Sequence, residues 1–237
     1  GRVGVTSKLF NGSYETGFFV GRLQDGRRYN QPFDAFDPNM TWSDGRYNSS
    51  RTDVQWNNTV HLSDFFTSTV LTDAAMTFGY EFTGDTAKAS NVADYGGFPF
   101  SQATNAWMSD NALYLGLQGT LWNRIDVTSQ VRQDWVAGST PTTWRLGSVF
   151  RVEEIGTNFK AAYGTAFRAP SLFDRYGIDS FGYVGNPNLL PEKSQGWELG
   201  FVSTIPGFGR RDFVTFGATY FNQQVQNLIV AQFAPVY

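Results

Sequence analysis

The sequence predicts an all-β fold: the wall of a transmembrane, antiparallel up-and-down β-barrel, with about ten strands in the chain. Three observations predict it. Run after run alternates apolar and polar side chains with period two over about ten residues, the length a tilted strand needs to cross a bilayer; globular strands centre on about five or six. Short turns alternate with longer loops along the whole chain, as in barrels with short periplasmic turns and long external loops. Of 237 residues, 17% are aromatic and 16% charged, yet mean hydropathy is only -0.31. Strands that are apolar on one face alone reconcile those values.

The elements follow in order. Arg2–Phe10 sets Val3, Val5 and Leu9 against Arg2, Thr6 and Lys8, and Asn11-Gly12 is a strong hairpin signal. Ser13–Leu23 returns with Phe18 and Val20 on one face. Gln24–Ser49 reads as a long loop containing Phe33, Phe36, Trp42 and Tyr47. Arg51–Leu62 alternates Val54, Trp56, Val60 and Leu62 with Asp53, Gln55, Asn57, Thr59 and His61. After a turn near Ser63–Phe66, Thr67–Phe82 sets Met76, Phe78, Tyr80 and Phe82 against Asp73, Thr77 and Glu81. A second long loop, Thr83–Trp107, carries Tyr95, Phe98 and Phe100.

Ala112–Trp122 and Ile125–Trp135 flank a tight turn at Asn123-Arg124, and Val136–Pro141 leads to Thr142–Val152. Glu153–Gly156 turns the chain into Asn158–Arg168. A loop rich in Gly, Asn, Pro and aromatics follows, then Gln195–Ile205, the turn Pro206–Arg211 and Asp212–Gln223. The tail Val225–Tyr237, with Pro235, carries no clear period.

The charged residues decide which face meets lipid. Asp53, Asp73, Glu81, Asp126, Arg132, Arg145, Arg151, Lys160 and Glu198 all fall opposite the apolar stripe. A lipid-facing Arg or Lys at the bilayer midplane costs about 2–4 kcal/mol, so this face is expected to line the lumen. Phe10, Phe65, Phe66, Trp122 and Phe208 lie near the short turns; Trp135, Trp144, Phe167 and Trp197 lie near the longer loops. Two aromatic girdles mark two membrane interfaces. A soluble sandwich or propeller would also alternate, but with shorter strands, and no repeat of about 40 residues is visible.

Several function classes are excluded or left without support. There is no cysteine, hence no disulfide framework or thiolate metal site. The net charge of -3 gives no case for nucleic acid as a partner. No nucleophile, zinc or phosphate-loop motif occurs, so the chain reads as no enzyme with no cofactor, and His61 as a solvated polar residue. Asp34, Asp37 and Asp44 are acids enough to seed a calcium site in the first long loop, but their spacing is not that of an EF-hand; solvated loop carboxylates are the favoured reading and no metal is assigned. The ligand-binding candidates are the aromatics of the long loops: Phe33, Phe36, Trp42, Tyr47, Tyr95, Phe98, Phe100, Phe173, Tyr176, Phe181 and Tyr183. Packing of the loops on one another is the alternative role for these rings.

The stretch Tyr163–Gly200 adds a resemblance. Tyr163-Gly164-Thr165-Ala166-Phe167-Arg168-Ala169-Pro170, then Gly185-Asn186-Pro187-Asn188-Leu189 followed by Pro191-Glu192-Lys193-Ser194, then Trp197-Glu198-Leu199-Gly200, resembles the late barrel region of TonB-dependent outer-membrane receptors. Ala218–Asn222 and Asn227-Leu228-Ile229 continue it. The resemblance implies a 22-stranded barrel with an N-terminal plug, in the outer membrane of a Gram-negative bacterium. It implies outer-membrane lipid as surroundings and a small-molecule nutrient, such as a ferric siderophore or cobalamin, as ligand. It implies energy from the TonB-ExbB-ExbD system, delivered through the plug. Residues 1–237 carry no plug pattern and are read as a middle-to-late part of the barrel domain. A passive porin or substrate-specific channel shares the barrel physics and is the alternative. On physical grounds Pro170 and Pro191 fit strand boundaries, and Arg168 and Glu192 are placed to pair across the base of the loop.

Overall fold

The computed structural model describes residues 1–36, 41–177 and 183–230. Its ten strands are β1 (Arg2–Leu9), β2 (Tyr14–Gln31), β3 (Trp42–His61), β4 (Leu71–Asp94), β5 (Pro99–Leu121), β6 (Ile125–Val136), β7 (Thr142–Val152), β8 (Thr157–Arg168), β9 (Glu192–Gly207) and β10 (Arg210–Gln226). They form one antiparallel sheet in which neighbours in sequence are neighbours in space. Among the described residues the sheet is open, with β1 and β10 at its edges. No described helix is long and apolar enough to cross a membrane, which says nothing of crossing by strands.

Register assigns the faces, because residues directly opposite across a ladder share a side of the sheet. One row runs Phe18–Trp56–Tyr80–Leu113 and another Ile125–Phe150–Phe159–Phe201. Phe18, Trp56, Leu113, Phe150 and Phe159 are between 42% and 52% exposed, so no described residue covers this apolar face, as a lipid-facing wall requires. The other face carries the expected charges. Arg132 is level with Tyr114 and Gly79, and Glu198 with Ala162, Gly147 and Thr128. Arg132 binds Glu81 at 2.5 Å and Asp134 at 2.8 Å, Arg151 binds Asp126, and Arg145 lies 3.7 Å from Glu198. Such pairs stiffen the wall without exposing charge to lipid. Asp73 departs from the pattern: it sits at φ 51° where the β4–β5 register shifts, so it belongs to a bulge rather than to the ladder.

The short turns explain the lower girdle. Phe10 and Asn11, Trp122 and Asn123, and Phe208 and Gly209 each have positive φ in succession. These tight connections, four residues after β1, three after β5 and two after β9, use that conformation because it matches the twist of the flanking strands. Holding an aromatic there costs about 1–2 kcal/mol. In return the ring projects from the turn: Phe10, Trp122 and Phe208 are 75%, 60% and 92% exposed. An amphipathic interface is where such rings are stable.

The long strands correct two expectations. Gln24–Ser49 is not one long loop, since β2 continues to Gln31 and β3 starts at Trp42. Thr83–Trp107 is a hairpin in which β4 reaches Asp94 and β5 starts at Pro99. Trp42, Tyr47 and Phe100 are therefore strand residues. β3, β4 and β5, at 20, 24 and 23 residues, are roughly twice the ~9–11 needed to span. Outside the bilayer both faces are wet, so apolar alternation fades while the backbone ladder continues. Polar cross-strand contacts hold it: Arg51 to Asp85 at 2.7 Å, Ser50 to Thr86 at 2.7 Å, Arg28 to Asp44 at 3.1 Å. Smaller shifts occur elsewhere. β4 begins at Leu71, after Ser68 Oγ accepts from the Val70 and Leu71 amides, and β9 and β10 are each longer than the period indicates. The end of the tail, residues 231–237, lies outside the described residues.

One close contact carries a prediction. A Cβ on Gly79 would come within 2.4 Å of the Tyr114 hydroxyl and 2.3 Å of the Trp56 carbonyl. Tyr114 reaches across β4 at this point and donates to Asn57 Oδ1 at 2.7 Å. Gly79→Val is expected to expel the ring, break that bond and destabilise the wall by about 1–3 kcal/mol. Loss of heat-modifiable gel mobility at a lower temperature than wild type would register it.

Candidate functional site

The site is built from the β8–β9 connection and the inner faces of the external hairpins. Pro170 ends β8 and is fully buried. Ser171 then caps a five-residue helix, α1 (Leu172–Tyr176): its Oγ accepts from the Asp174 amide at 3.1 Å, and Asp174 Oδ2 accepts from the Ser171 amide at 2.8 Å. This reciprocal pair satisfies two otherwise orphaned donors. Arg175 donates through Nε and Nη2 to the Pro187 carbonyl at 2.9 and 2.5 Å. The Asn186 amide donates to the Asp174 carbonyl at 3.0 Å, so the return limb lies against the helix. Gly185 has to be glycine there, because a Cβ would stand 2.6 Å from the Arg175 backbone. Asn186 turns the chain, its Oδ1 accepting from the Asn188 amide at 2.9 Å. Leu189 closes the same turn by donating its amide to the Asn186 carbonyl at 3.2 Å.

The base of this loop is clasped. Arg168 and Glu192 are direct partners in the β8–β9 register, and Nη1 donates to Oε1 at 2.9 Å. The same Oε1 accepts from the Ile229 amide at 2.7 Å. Arg168 also lies 3.6 Å from Asp174, while Pro191 and Glu192 are buried and Phe167 faces outward, half-buried, on β8. These motif residues shape the loop from beneath.

Above the clasp, residues 169–173 and the inner wall of β2 to β6 enclose a cavity of about 640 Å³. Asp25, Arg51, Asp85, Met108, Asp110 and Val136 line the wall, and Pro170, Leu172 and Phe173 form the opposite side. Arg51 is held by Asp85, and Asp25 is 2.8 Å from Arg27. One oxygen of Asp110 and one of the fully buried Asp134 have no partner among the described residues. A second hollow of about 530 Å³ lies between residues 103–107 of β5 and Arg175, Tyr176, Gly177, Val184, Gly185 and Pro187. The Thr104 hydroxyl reaches the Tyr176 carbonyl there at 3.4 Å. The arrangement offers apolar surface, aromatic rings and hydrogen-bonding groups of both polarities, and its size suits a small-molecule ligand.

The aromatic candidates divide into separate groups. Phe173 and Tyr183 stack at 4.8 Å and 3°, and the Arg175 guanidinium lies over the Tyr176 ring at 5.5 Å. Phe33 and Phe36 sit at the tip of the β2–β3 hairpin, and Tyr95 and Phe98 at the β4–β5 turn, where the Tyr95 amide donates to the Phe98 carbonyl at 3.2 Å. Tyr47 and Phe100 are on the inner face of the hairpins and Trp42 on the outer. Among the described residues, no ring pair joins the hairpin tips to the Phe173–Tyr183 stack. Phe181 lies outside the described residues. The charged lining of Asp25, Arg51, Asp85 and Asp110 was not singled out by sequence. Sequence gives no periodic signal for it, because apolar alternation fades in the segments that read as loops. The Ser171-x-x-Asp174 spacing does signal α1.

Metal chemistry finds no platform among the described residues: no three His, Cys, Asp or Glu gather to hold an ion. Asp34 Oδ1 accepts from the Phe36 amide at 2.9 Å, and Asp37 lies outside the described residues. Asp44, in the external extension well beyond the apolar band, is hydrogen-bonded by Arg28, which holds its carboxyl below the usual range.

A family model described as TonB dependent receptor-like, beta-barrel, matches residues 2–237. Three solved structures share the fold. The copper transporter OprC superposes with a TM-score of 0.69 at 10% identity, covering 95% of this chain and 37% of its own. The RagAB peptide importer in its closed-closed state gives 0.61 at 11%, covering 86% and 28%. P. aeruginosa FpvA bound to a heterologous ferric pyoverdine gives 0.59 at 12%, covering 94% and 32%. The chain thus spans about a third of the length of the solved structures it matches.

The clasp yields a double-mutant cycle. Arg168→Ala and Glu192→Ala are each expected to loosen the β8–β9 loop, seen as faster proteolytic nicking near α1. Combined, they should cost about 1 kcal/mol less than the sum of the two. Strict additivity in unfolding midpoints would mean that the pair does not couple.

Proposed function

The chain belongs to the TonB-dependent receptor β-barrel family, whose members reside in the Gram-negative outer membrane, and we propose that it forms part of the barrel wall of a nutrient importer. In this reading a scarce small molecule, of the ferric siderophore or cobalamin type, binds at the external mouth. A plug lying outside residues 1–237 closes the lumen and receives energy from the TonB-ExbB-ExbD system. The wall contributes binding and passage, with no covalent chemistry.

The observation that carries the proposal is the inward fold of the β8–β9 loop over a cavity of about 640 Å³. An unobstructed channel has no need of a capped, clasped loop laid across its inner wall. Here α1 presents Phe173 toward polar strands, giving a ligand one apolar and one hydrogen-bonding surface. The similar structures carry names that speak of copper, peptide and ferric pyoverdine. That range supports import as the shared activity and leaves the cargo to the residues of the mouth.

The test is uptake by cells expressing the full-length protein, with and without TonB, across radiolabelled ferric siderophores and cobalamin. Loss of uptake without TonB, with surface binding retained, is the expected result; equal uptake in both backgrounds would establish a passive channel instead. Phe173→Ala is expected to weaken binding of the transported ligand about fivefold to tenfold by removing one stacked ring. Equilibrium binding to whole cells would measure it.

A further inference from the structure

The outward row Val20–Val54–Phe82 is the last apolar one, and the inward rows at that height are rich in acid. Gln55–Glu81–Ala112–Asp134 comes first, then Arg2–Gly21–Asp53–Thr83–Asp110, then Leu23–Arg51–Asp85–Met108. Arg132 stands one row beneath, level with Tyr114. Every arginine here is already engaged. Arg2 donates to Gln55 at 2.5 Å and lies over the Phe19 ring, and Arg132 is shared by Glu81 and Asp134. Both oxygens of Asp85 hold Arg51 at 2.7 Å.

Two acceptors are left over. Asp134 Oδ2, on a side chain that is 1% exposed, has no donor, since Arg132 takes only Oδ1. Asp110, one row further out on the neighbouring strand, lines the cavity of about 640 Å³. Its Oδ1 is buried without a donor, and no described residue forms an ion pair with it. A buried carboxylate oxygen with no hydrogen bond is costly. Here the costly group borders an open cavity, so a donor can reach it from that side. Asp25, the remaining acid of the lining, has its own partner in Arg27.

We propose that this cavity selects an organic cation, a ligand presenting a primary ammonium or guanidinium from an aromatic or aliphatic body, with Asp110 as the carboxylate that receives it. The inference rests on the importer reading of the same cavity and narrows its cargo. Charge selects the sign of the ligand. An anion would meet the unpaired Asp110 and an Arg51 already neutralised by Asp85, whereas a cation supplies the missing donor and counter-charge. The opposite side selects the body. Pro170, Leu172 and Phe173 are apolar, and Phe173 is 55% exposed, so its ring can cover the ligand and attract the cation.

The experiment is equilibrium dialysis of the full-length protein in a non-ionic detergent against two radiolabelled probes, with uptake by protein-free micelles subtracted. The probes are 2-phenylethylamine, a cation at neutral pH, and its neutral N-acetyl derivative. Wild type should bind the amine at least about tenfold more tightly than the amide. Asp110→Asn should abolish that preference, while Asp44→Asn, on the outward face of the β2–β3 hairpin, should leave it intact. Heat-modifiable mobility confirms that each variant is folded; if Asp110→Asn does not fold, the wild-type comparison of the two probes decides alone. Equal binding of both probes, binding of neither, or a preference that survives in folded Asp110→Asn would overturn the proposal and leave Asp110 to a cation of the protein itself. Those outcomes leave the importer reading standing, because an importer of anionic or neutral cargo keeps its TonB-dependent uptake without preferring the amine.

Discussion

Inside a bilayer no water is present to bond a free amide or carbonyl, and each unsatisfied group costs several kcal/mol. Everything else in this chain follows from that constraint. Strands must pair along their whole spanning length, so all ten join one uninterrupted antiparallel ladder. A continuous ladder fixes register, and register sends alternate side chains to lipid and to lumen. Departures from the ladder stay at its ends, as with the bulge at Asp73 near a short turn. The same constraint bears on the open edges, since the free groups of β1 and β10 at membrane depth need strand partners. Matches covering about a third of much longer barrels accord with that need.

Where the constraint operates, the sequence was legible. Between the short turns and the Val20–Val54–Phe82 row, apolar alternation placed nearly every strand and all but one of the expected lumen charges. It failed where lipid ends. Beyond Leu23 and Phe82 neither face is selected to be apolar, so β2 to β5 look like loops although their ladders continue to Gln31, Trp42, Asp94 and Pro99. Glycines at 26, 45 and 84 reinforced the misreading. In a wet hairpin the ladder is maintained by backbone bonds and polar pairs such as Arg51–Asp85, and such pairs have no period.

The candidate site shows the same boundary. The loop between β8 and β9 could be located because Pro170, Pro191, Arg168 and Glu192 do local jobs that sequence displays: they end strands and face each other at a junction. Its opposite wall, from β2 to β6, was invisible because it is assembled by curvature from strands far apart in the chain. The aromatic candidates were chosen by residue type, and type does not report position. Phe173 and Tyr183 stack on one another and Tyr176 lines the second hollow, whereas Phe33, Phe36, Tyr95 and Phe98 stand at hairpin tips and Trp42 faces outward.

These placements separate two roles within one motif region. Pro170, Pro191 and Glu192 are buried, and Glu192 joins Arg168 to the amide of Ile229, so one carboxylate ties the exit of β8, the entry of β9 and the segment after β10. A ligand in the cavity meets Pro170, Leu172 and Phe173 but neither Arg168 nor Glu192, whose influence reaches it through the position of that limb. Changing the rings and charges that line the cavity leaves the clasp and its ladder contacts untouched. Changing the clasp moves the whole of α1 relative to the inner wall. A barrel with this layout can alter what its mouth recognises without disturbing the hydrogen bonds that keep it in the membrane, and the division follows from which groups are buried at the junction.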